Sequence, residues 1–247
     1  MTGRDFFETK ESDYAQFRPR YPQVLFEYVT GLCPARDRAW DCATGNGQAA
    51  TGLAKLFTQV IATDLSKSQL LQAQQVDNVH YWQASAESSC IESHSIDLLV
   101  VAQALHWFDL EKFYREVNRV LKPAGLLLVI SYQLPRINKP LNAIIDKLHG
   151  ETLGAYWPQQ RRHVDSAYRD IPFPFPRLEL PTFSMQHKWS LKQFSGYLRS
   201  WSAVSHFQRQ QTNNPVDLID KDLQQHWSVT GHEMIRWPLT LLAGRAF

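Results

Sequence analysis

Asp41-Cys42-Ala43-Thr44-Gly45-Asn46-Gly47-Gln48-Ala49-Ala50, followed by Asp64, is the part of the chain whose residue types and spacing suggest chemistry. Two glycines between an apolar stretch (Ala39 to Ala43) and a helix-spaced set (Ala50, Leu53, Ala54, Phe57) let the backbone turn sharply and approach a ligand closely. Asp64 closes the apolar run Val60-Ile61-Ala62-Thr63. A carboxylate there, roughly 20 residues past the loop, can accept hydrogen bonds from both hydroxyls of a ribose. The pattern reads as a nucleoside-binding strand–loop–helix, with a glycine-rich turn that holds no ligand as the competing reading. Gly45-x-Gly47-x-x-Ala50 also fits the dinucleotide fingerprint, in which Ala can replace the third glycine. Asp41, four residues before Gly45, weighs against a pyrophosphate, which it would repel, and favours a cationic ligand. S-adenosylmethionine carries positive charge and no phosphate.

Further candidates sit at His106-Trp107-Phe108. His106 follows a nearly continuous apolar run and has the ordinary imidazole pKa near 6.5 that suits a general base. A substrate contact is the other role open to it, and cleft wall or core the plainer reading of Trp107 and Phe108. Tyr156, Trp157, Arg161, Arg162, Phe173 and Phe175 form an aromatic, basic set that could admit a small, partly apolar anion. Ordinary packing with solvated arginines is the competing reading.

Other chemistries lack their residues. There is no Gly-x-Ser-x-Gly elbow, no Gly-Lys-Ser/Thr after the glycine loop, no tyrosine with lysine four residues on, and no close His-x-x-x-His pair. No metal site is expected. The three cysteines (Cys33, Cys42, Cys90) are too scattered for a disulfide framework. With 26 basic and 24 acidic side chains among 247 residues, no strong field points to nucleic acid or to an acidic membrane. The start lacks an apolar signal core and no run of about 18 apolar residues could span a bilayer, so a cytoplasmic enzyme acting on a small molecule is expected. The oligomeric state is left open.

The elements that must position these residues alternate. Strands are expected at Ala39–Ala43, Val60–Thr63, Val79–Trp82, Ile96–Ala102 and Leu126–Ile130, with a sixth over Leu178–His187 and a closing one at Ile235–Leu242. Helices are expected at Pro22–Leu32, Leu65–Gln75 with Ser66 as N-cap, Asp109–Leu121, Asn138–His149, Leu191–Trp201 and Pro215–Trp227. Alternating prolines in Ile171–Pro176 exclude helix and central strand. Regular βα alternation predicts an α/β fold with a doubly wound, mostly parallel sheet.

Five pieces in this order resemble the class I S-adenosylmethionine-dependent methyltransferases, and most the branch that includes trans-aconitate methyltransferase. They are Tyr14 to Pro22, Asp41 to Gln48 with Asp64, Ala84-Ser85-Ala86-Glu87, Gln103 to Asp109, and Leu121 to Gly125. The resemblance covers residues 10 to 132 well and the remainder loosely. It implies a Rossmann-like sheet of seven strands, the last antiparallel, with an N-terminal helical cap and an insertion before the sixth strand. One domain is expected: cap 1–36, cofactor core 37–133, inserted substrate segment 134–177, and remaining sheet and helices 178–247. Asp41, Ala43, Thr44, Gly45 and Gly47 would hold the methionine part of S-adenosylmethionine, Asp64 its ribose and Leu65 one adenine face. Ser85 and Ala86 would meet the adenine edge, and Gln103 the sulfonium. Tyr14 and Arg18 would close over the cofactor. Many relatives have glycine where Ala43 stands, so the loop here is expected to do without a positive φ at that residue. An NAD(P)-dependent oxidoreductase, a macromolecule methyltransferase and a non-catalytic cofactor-binding member are the alternatives.

Overall fold

The computed structural model describes residues 19–246, so Tyr14 and Arg18 lie outside the described residues. The chain forms two compact units. The first holds Arg20–Tyr132, His163–Phe183 and the chain from Leu239 on; the second holds Gln133–Arg162 and Ser184–Pro238.

Seven strands, β1 Arg38–Cys42, β2 Gln59–Asp64, β3 Val79–Gln83, β4 Ile96–Ala102, β5 Leu121–Tyr132, β6 Ser184–Ser190 and β7 His232–Arg245, follow the order β3-β2-β1-β4-β5-β7-β6. The β1–β2, β2–β3, β1–β4 and β4–β5 pairs are parallel, and β7 runs antiparallel to both β5 and β6. Leu239 to Arg245 pair with β5 in the first unit, and His232 to Pro238 pair with β6 in the second.

In β4, β5 and their neighbours the period-2 alternation sends side chains to two faces. Trp40, Leu99, Val101, Leu127 and Val129 join one core, and Ala39, Val60, Leu98, Val100, Leu126 and Leu128 the other. A strand covered on both faces must be apolar at nearly every position, which is why Ile96 to Ala102 shows no alternation in sequence. The helix Leu110–Val120 lays Phe113, Val117 and Val120 into the first core. Asp109 caps it by accepting from the Lys112 amide, as Ser66 caps Lys67–Leu71 and Asn138 caps Lys139–Lys147.

Two expectations are corrected and one open choice is decided. The sixth strand begins at Ser184, not Leu178. Leu178 instead donates one amide hydrogen bond to Ala243 at 2.9 Å, and the stretch up to Phe183 stays irregular. The helix expected from Leu65 to Gln75 ends at Leu71. Phe173 and Phe175 are not cleft residues: they pack on Tyr114, whose hydroxyl donates to the Pro172 carbonyl at 2.6 Å. A Cβ on Gly244 would lie 2.6 Å from Phe175 Cβ, so the proline-rich segment rests directly on β7.

Candidate active site

Parallel register fixes the site before any side chain is considered. Cys42 pairs with Thr63 and Val101, and Asp64 with Gln83, so Ala43, Asp64, Ala84 and Gln103 leave the sheet at one carboxyl edge. The connections diverge between β1 and β4, because β2 lies on the other side of β1. That is the switch point where open α/β sheets bind ligands.

The loop after β1 is held by carboxylates. Asp41 is completely buried, and its Oδ2 accepts from Thr44 Oγ1 at 2.5 Å and from the Ala50 amide at 2.8 Å. That amide belongs to the first turn of the helix Gln48–Leu53, so Asp41 ties strand to helix. Its Oδ1 is buried with no hydrogen-bond partner among the described residues. Burial pushes the Asp41 carboxyl from its ordinary 3.8 up to about 7, against the Thr44 and Ala50 bonds, and the Asp64 charge adds to the rise. Asp64 accepts from the Gly45 amide through Oδ2 and from the Ser66 amide through Oδ1, both at 2.8 Å. Its carboxyl is also pushed up by burial, with the backbone bonds opposing.

Gly45 and Gly47 both take left-handed φ, +57° and +85°. At Gly47 a Cβ would sit 2.5 Å from Tyr81 Oη, so both conformation and space demand glycine. Ala43 departs from expectation. Its φ is +55°, so the loop does need left-handed backbone there and an alanine bears the strain. Thr44 donates its amide to the Thr63 carbonyl at 2.8 Å, which clamps the loop to β2 and holds Ala43 in that conformation.

Around this loop, Leu65 is half exposed (48%) directly after Asp64, an apolar face available for a ring. Ser85 is already engaged: its hydroxyl donates to Glu87 and accepts the Glu87 amide at 3.1 Å. Glu87 in turn accepts the Asp109 amide at 3.1 Å, and Ala86 between them is buried. Gln103, also at positive φ (+58°), is fastened to β5: its amide donates to Ile130 O at 2.8 Å and its side chain meets Tyr132 O and Ser131 Oγ, each at 3.3 Å.

Just beyond, a single turn Leu105–Trp107 carries His106. The His106 ring lies 5.0 Å from that of Trp107, and its Nδ1 is 2.8 Å from Tyr168 Oη. The first unit therefore brings together Asp41, Ala43, Thr44, Gly45, Gly47, Asp64, Leu65, Ser85, Ala86, Gln103, His106 and Trp107. Tyr156, Trp157 and Arg161 belong to the second unit. There Arg161 stacks over Trp157 at 4.8 Å, Trp157 Nε1 donates to the His149 carbonyl at 3.1 Å, and Tyr156 packs on Phe207. Among the described residues no group of three His, Cys, Asp or Glu side chains could hold a metal ion, and no helix is long and apolar enough to cross a membrane.

Sequence reasoning gave no role to Glu87, Tyr81 or Tyr168. Glu87 stood inside the Ala84 to Glu87 motif and could have been weighed as the partner of Ser85. Tyr81 and Tyr168 had no local signal.

A methyltransferase-domain family model matches residues 40–129, the stretch that contains the loop, Asp64 and His106. A Dictyostelium discoideum protein assigned provisionally as a methyltransferase is 35% identical over 92% of this chain and 88% of its own length. A solved structure from Anaeromyxobacter dehalogenans, provisionally a type II methyltransferase, superposes with a TM-score of 0.88 at 39% identity. It covers 93% of this chain and 98% of its own. The chain belongs to the class I S-adenosylmethionine-dependent methyltransferases. An uncharacterised methyltransferase of Schizosaccharomyces pombe is 26% identical over 83% of this chain and 81% of its own. For this methyltransferase the cofactor is S-adenosylmethionine, and an oxidoreductase reading of the glycine loop is set aside. The observed groups fit that cofactor: a buried Asp41 oxygen without a hydrogen-bond partner among the described residues suits a cation, and the Gly45–Gly47 cradle admits close backbone approach.

Proposed function

We propose that this methyltransferase methylates a small molecule, a carboxylic acid in the first instance, by direct displacement. Asp41 and the Ala43–Gly47 backbone hold the methionine part of the cofactor, Asp64 the ribose, Leu65 the adenine face, and Ala86 with Ser85 the adenine edge. Gln103 lies by the sulfonium, and His106 with Trp107 meets the methyl acceptor. The observation that carries the reading is the buried Asp41 carboxyl at the switch point, whose Oδ1 has no hydrogen-bond partner among the described residues and would be stabilised by a positive charge nearby.

When bound, S-adenosylmethionine supplies an electrophilic methyl carbon: the acceptor's lone pair bonds to it while the carbon–sulfur pair returns to sulfur. The protein's own groups contribute position and charge. Asp64 arrives preoriented, because the Gly45 and Ser66 amides fix both its oxygens. The Ser85–Glu87–Asp109 chain of hydrogen bonds fixes the adenine-edge strand end relative to the His106 turn. A base is not required for a carboxylate acceptor, so His106 serves as a contact to the acceptor. Its role as general base would apply to an acceptor that carries a proton. The near balance of charges supports a small acceptor over a nucleic acid or basic protein tail.

The test is isothermal titration with S-adenosylhomocysteine and, separately, NAD, followed by a screen for S-adenosylhomocysteine production from S-adenosylmethionine with small carboxylic acids, peptides and oligonucleotides. Micromolar binding of the first ligand alone, with turnover on carboxylic acids, is expected. Turnover on peptides or oligonucleotides alone would refute the small-molecule reading.

A further inference from the structure

Ser85 and Glu87 form a short hydrogen-bond relay beside Asp64 and Leu65. Ser85 lies two residues past β3. The chain leading to it is fastened to the end of β2: the Ala84 amide donates to the Asp64 carbonyl at 3.2 Å, and Gln83 Nε2 donates to the Leu65 carbonyl at 2.8 Å. Ser85 and Glu87 are both half-buried, so neither is sealed in the core.

The inventory of protons and lone pairs decides what Ser85 can do. A serine hydroxyl has one proton to donate and two lone pairs to accept with, whereas a carboxylate only accepts. The proton between Ser85 Oγ and Glu87 Oε2 is therefore the serine's. The Glu87 amide donates to the same Oγ at 3.1 Å and occupies one lone pair. With the proton and one lone pair committed, the hydroxyl has only an acceptor left to offer. The amide bond alone would satisfy the local turn, and the carboxylate adds direction. Glu87 is itself held from the far side. Its Oε1 accepts the Asp109 amide at 3.1 Å, and Asp109 is the N-cap of the helix Leu110–Val120, an end that favours negative charge.

We infer that Glu87 is the positioning residue that sets which purine the site accepts: by holding the Ser85 proton it makes Ser85 a one-way acceptor, selective for a ring with an amino group at position 6 over one with an oxo group. The inference rests on the proposed reading in which Ser85 meets the adenine edge. An exocyclic amine donates into the remaining lone pair, and a hydroxyl that donates to an anion is polarised toward accepting. A 6-oxo group instead brings lone pair against lone pair. The Asp109 amide makes this polarity reversible. In Glu87→Gln that amide still only donates, so the new side chain must turn its oxygen toward Asp109 and its NH2 toward Ser85. Oγ then accepts twice, and its proton is released to donate outward, toward an oxo group.

Isothermal titration of the full-length protein with S-adenosylhomocysteine and with S-inosylhomocysteine, its 6-oxo counterpart, tests this. The wild type is expected to bind the amino ligand about 10- to 100-fold more tightly, the range for a polar group left without its partner. Glu87→Gln should cut that ratio about tenfold and bind the inosyl ligand more tightly than the wild type does. The oxo ring also carries a proton at N1, but that is common to every protein compared, so the change in ratio isolates position 6. In a Ser85→Ala background Glu87→Gln should leave the ratio unchanged, because the relay has lost its middle. Equal wild-type affinity for the two ligands overturns the proposal, and that readout needs no variant. A Glu87→Gln protein with wild-type melting and a wild-type ratio overturns it, as does an effect of Glu87→Gln that persists without the Ser85 hydroxyl. Should Glu87→Gln not fold, Ser85→Ala decides alone, and an unchanged ratio there overturns the proposal. Failure of the wild type to bind S-adenosylhomocysteine at all overturns the cofactor-site reading underneath, whereas binding without discrimination overturns only the role of Ser85 and Glu87.

Discussion

Replacing Asp41 with asparagine should make the protein more stable at alkaline pH while destroying cofactor binding. The carboxyl is completely buried and is pushed from 3.8 to about 7. Because its folded-state pKa lies above the unfolded one, the folded protein holds this proton more tightly. Its contribution to stability is full below pH 3.8 and is lost as pH rises to about 7, after which it is flat. Each unit of difference is worth about 1.4 kcal/mol. Between pH 5 and 8.5 the wild type therefore loses about 3 kcal/mol that the asparagine variant, having nothing to ionise there, does not lose. The new amide keeps an oxygen for Thr44 and Ala50 but buries an N–H2 at the position of the partnerless Oδ1, at a cost of about 1–3 kcal/mol. That cost is present at both pH values and cancels in the comparison. For a chain of this size about 2–4 °C accompany each kcal/mol, so the melting temperature of Asp41→Asn minus that of wild type should grow by roughly 6–12 °C from pH 5 to 8.5. The assay is thermal unfolding followed by circular dichroism at both pH values without ligand. A difference that stays constant to about 1 °C would refute the raised carboxyl, and with it the argument that Asp41 waits for a cation.

The same carboxyl predicts a proton release. S-adenosylhomocysteine binding should strengthen about tenfold per unit from pH 5.5 to 7 and level off above, with titrations in buffers of different ionisation heat showing a proton released near pH 6; pH-independent affinity would sink this. Asp64→Ala should weaken that binding by about 1–3 kcal/mol, since it would remove the proposed ribose contacts and frees the Gly45 and Ser66 amides. An unchanged dissociation constant would remove the ribose assignment. Gly47→Ala should destabilise by about 1–2 kcal/mol from left-handed strain, with more from the 2.5 Å approach to Tyr81 Oη, and Tyr81→Phe should restore only the second part in urea unfolding. Ala43→Gly relieves about 1–2 kcal/mol of backbone strain against about 0.4–1 kcal/mol of added unfolded-state entropy, so it should be neutral to slightly stabilising. A loss above about 1 kcal/mol would show that the Ala43 methyl does more by packing than its backbone costs.

What could be read from the sequence was whatever acts over a few residues. Glycines demand left-handed backbone locally, so the Gly45–Gly47 turn was visible; Ser66, Asp109 and Asn138 cap helices through bonds three residues away. The nearly continuous apolar run Ile96–Ala102, broken only by Asp97, announced a strand covered on both faces, and Asp64 closed its strand at the expected distance. Such signals fixed the order of strands along the chain, and with it the carboxyl edge where the site lies. Tertiary structure decided what depends on distant partners. The sixth strand starts at Ser184 because its pairing partners, His232 to Pro238, lie about fifty residues on, and apolarity at Leu178 could not tell a strand from a stretch pinned by one amide to Ala243. Ala43 takes a conformation its type disfavours because Thr44 is bound to β2. Phe173 and Phe175 were open to two readings until Tyr114 and Gly244 provided the surface they cover. Tyr168 meets His106 only after the Asp170-clamped turn folds back, a contact between residues 62 apart that no local pattern encodes.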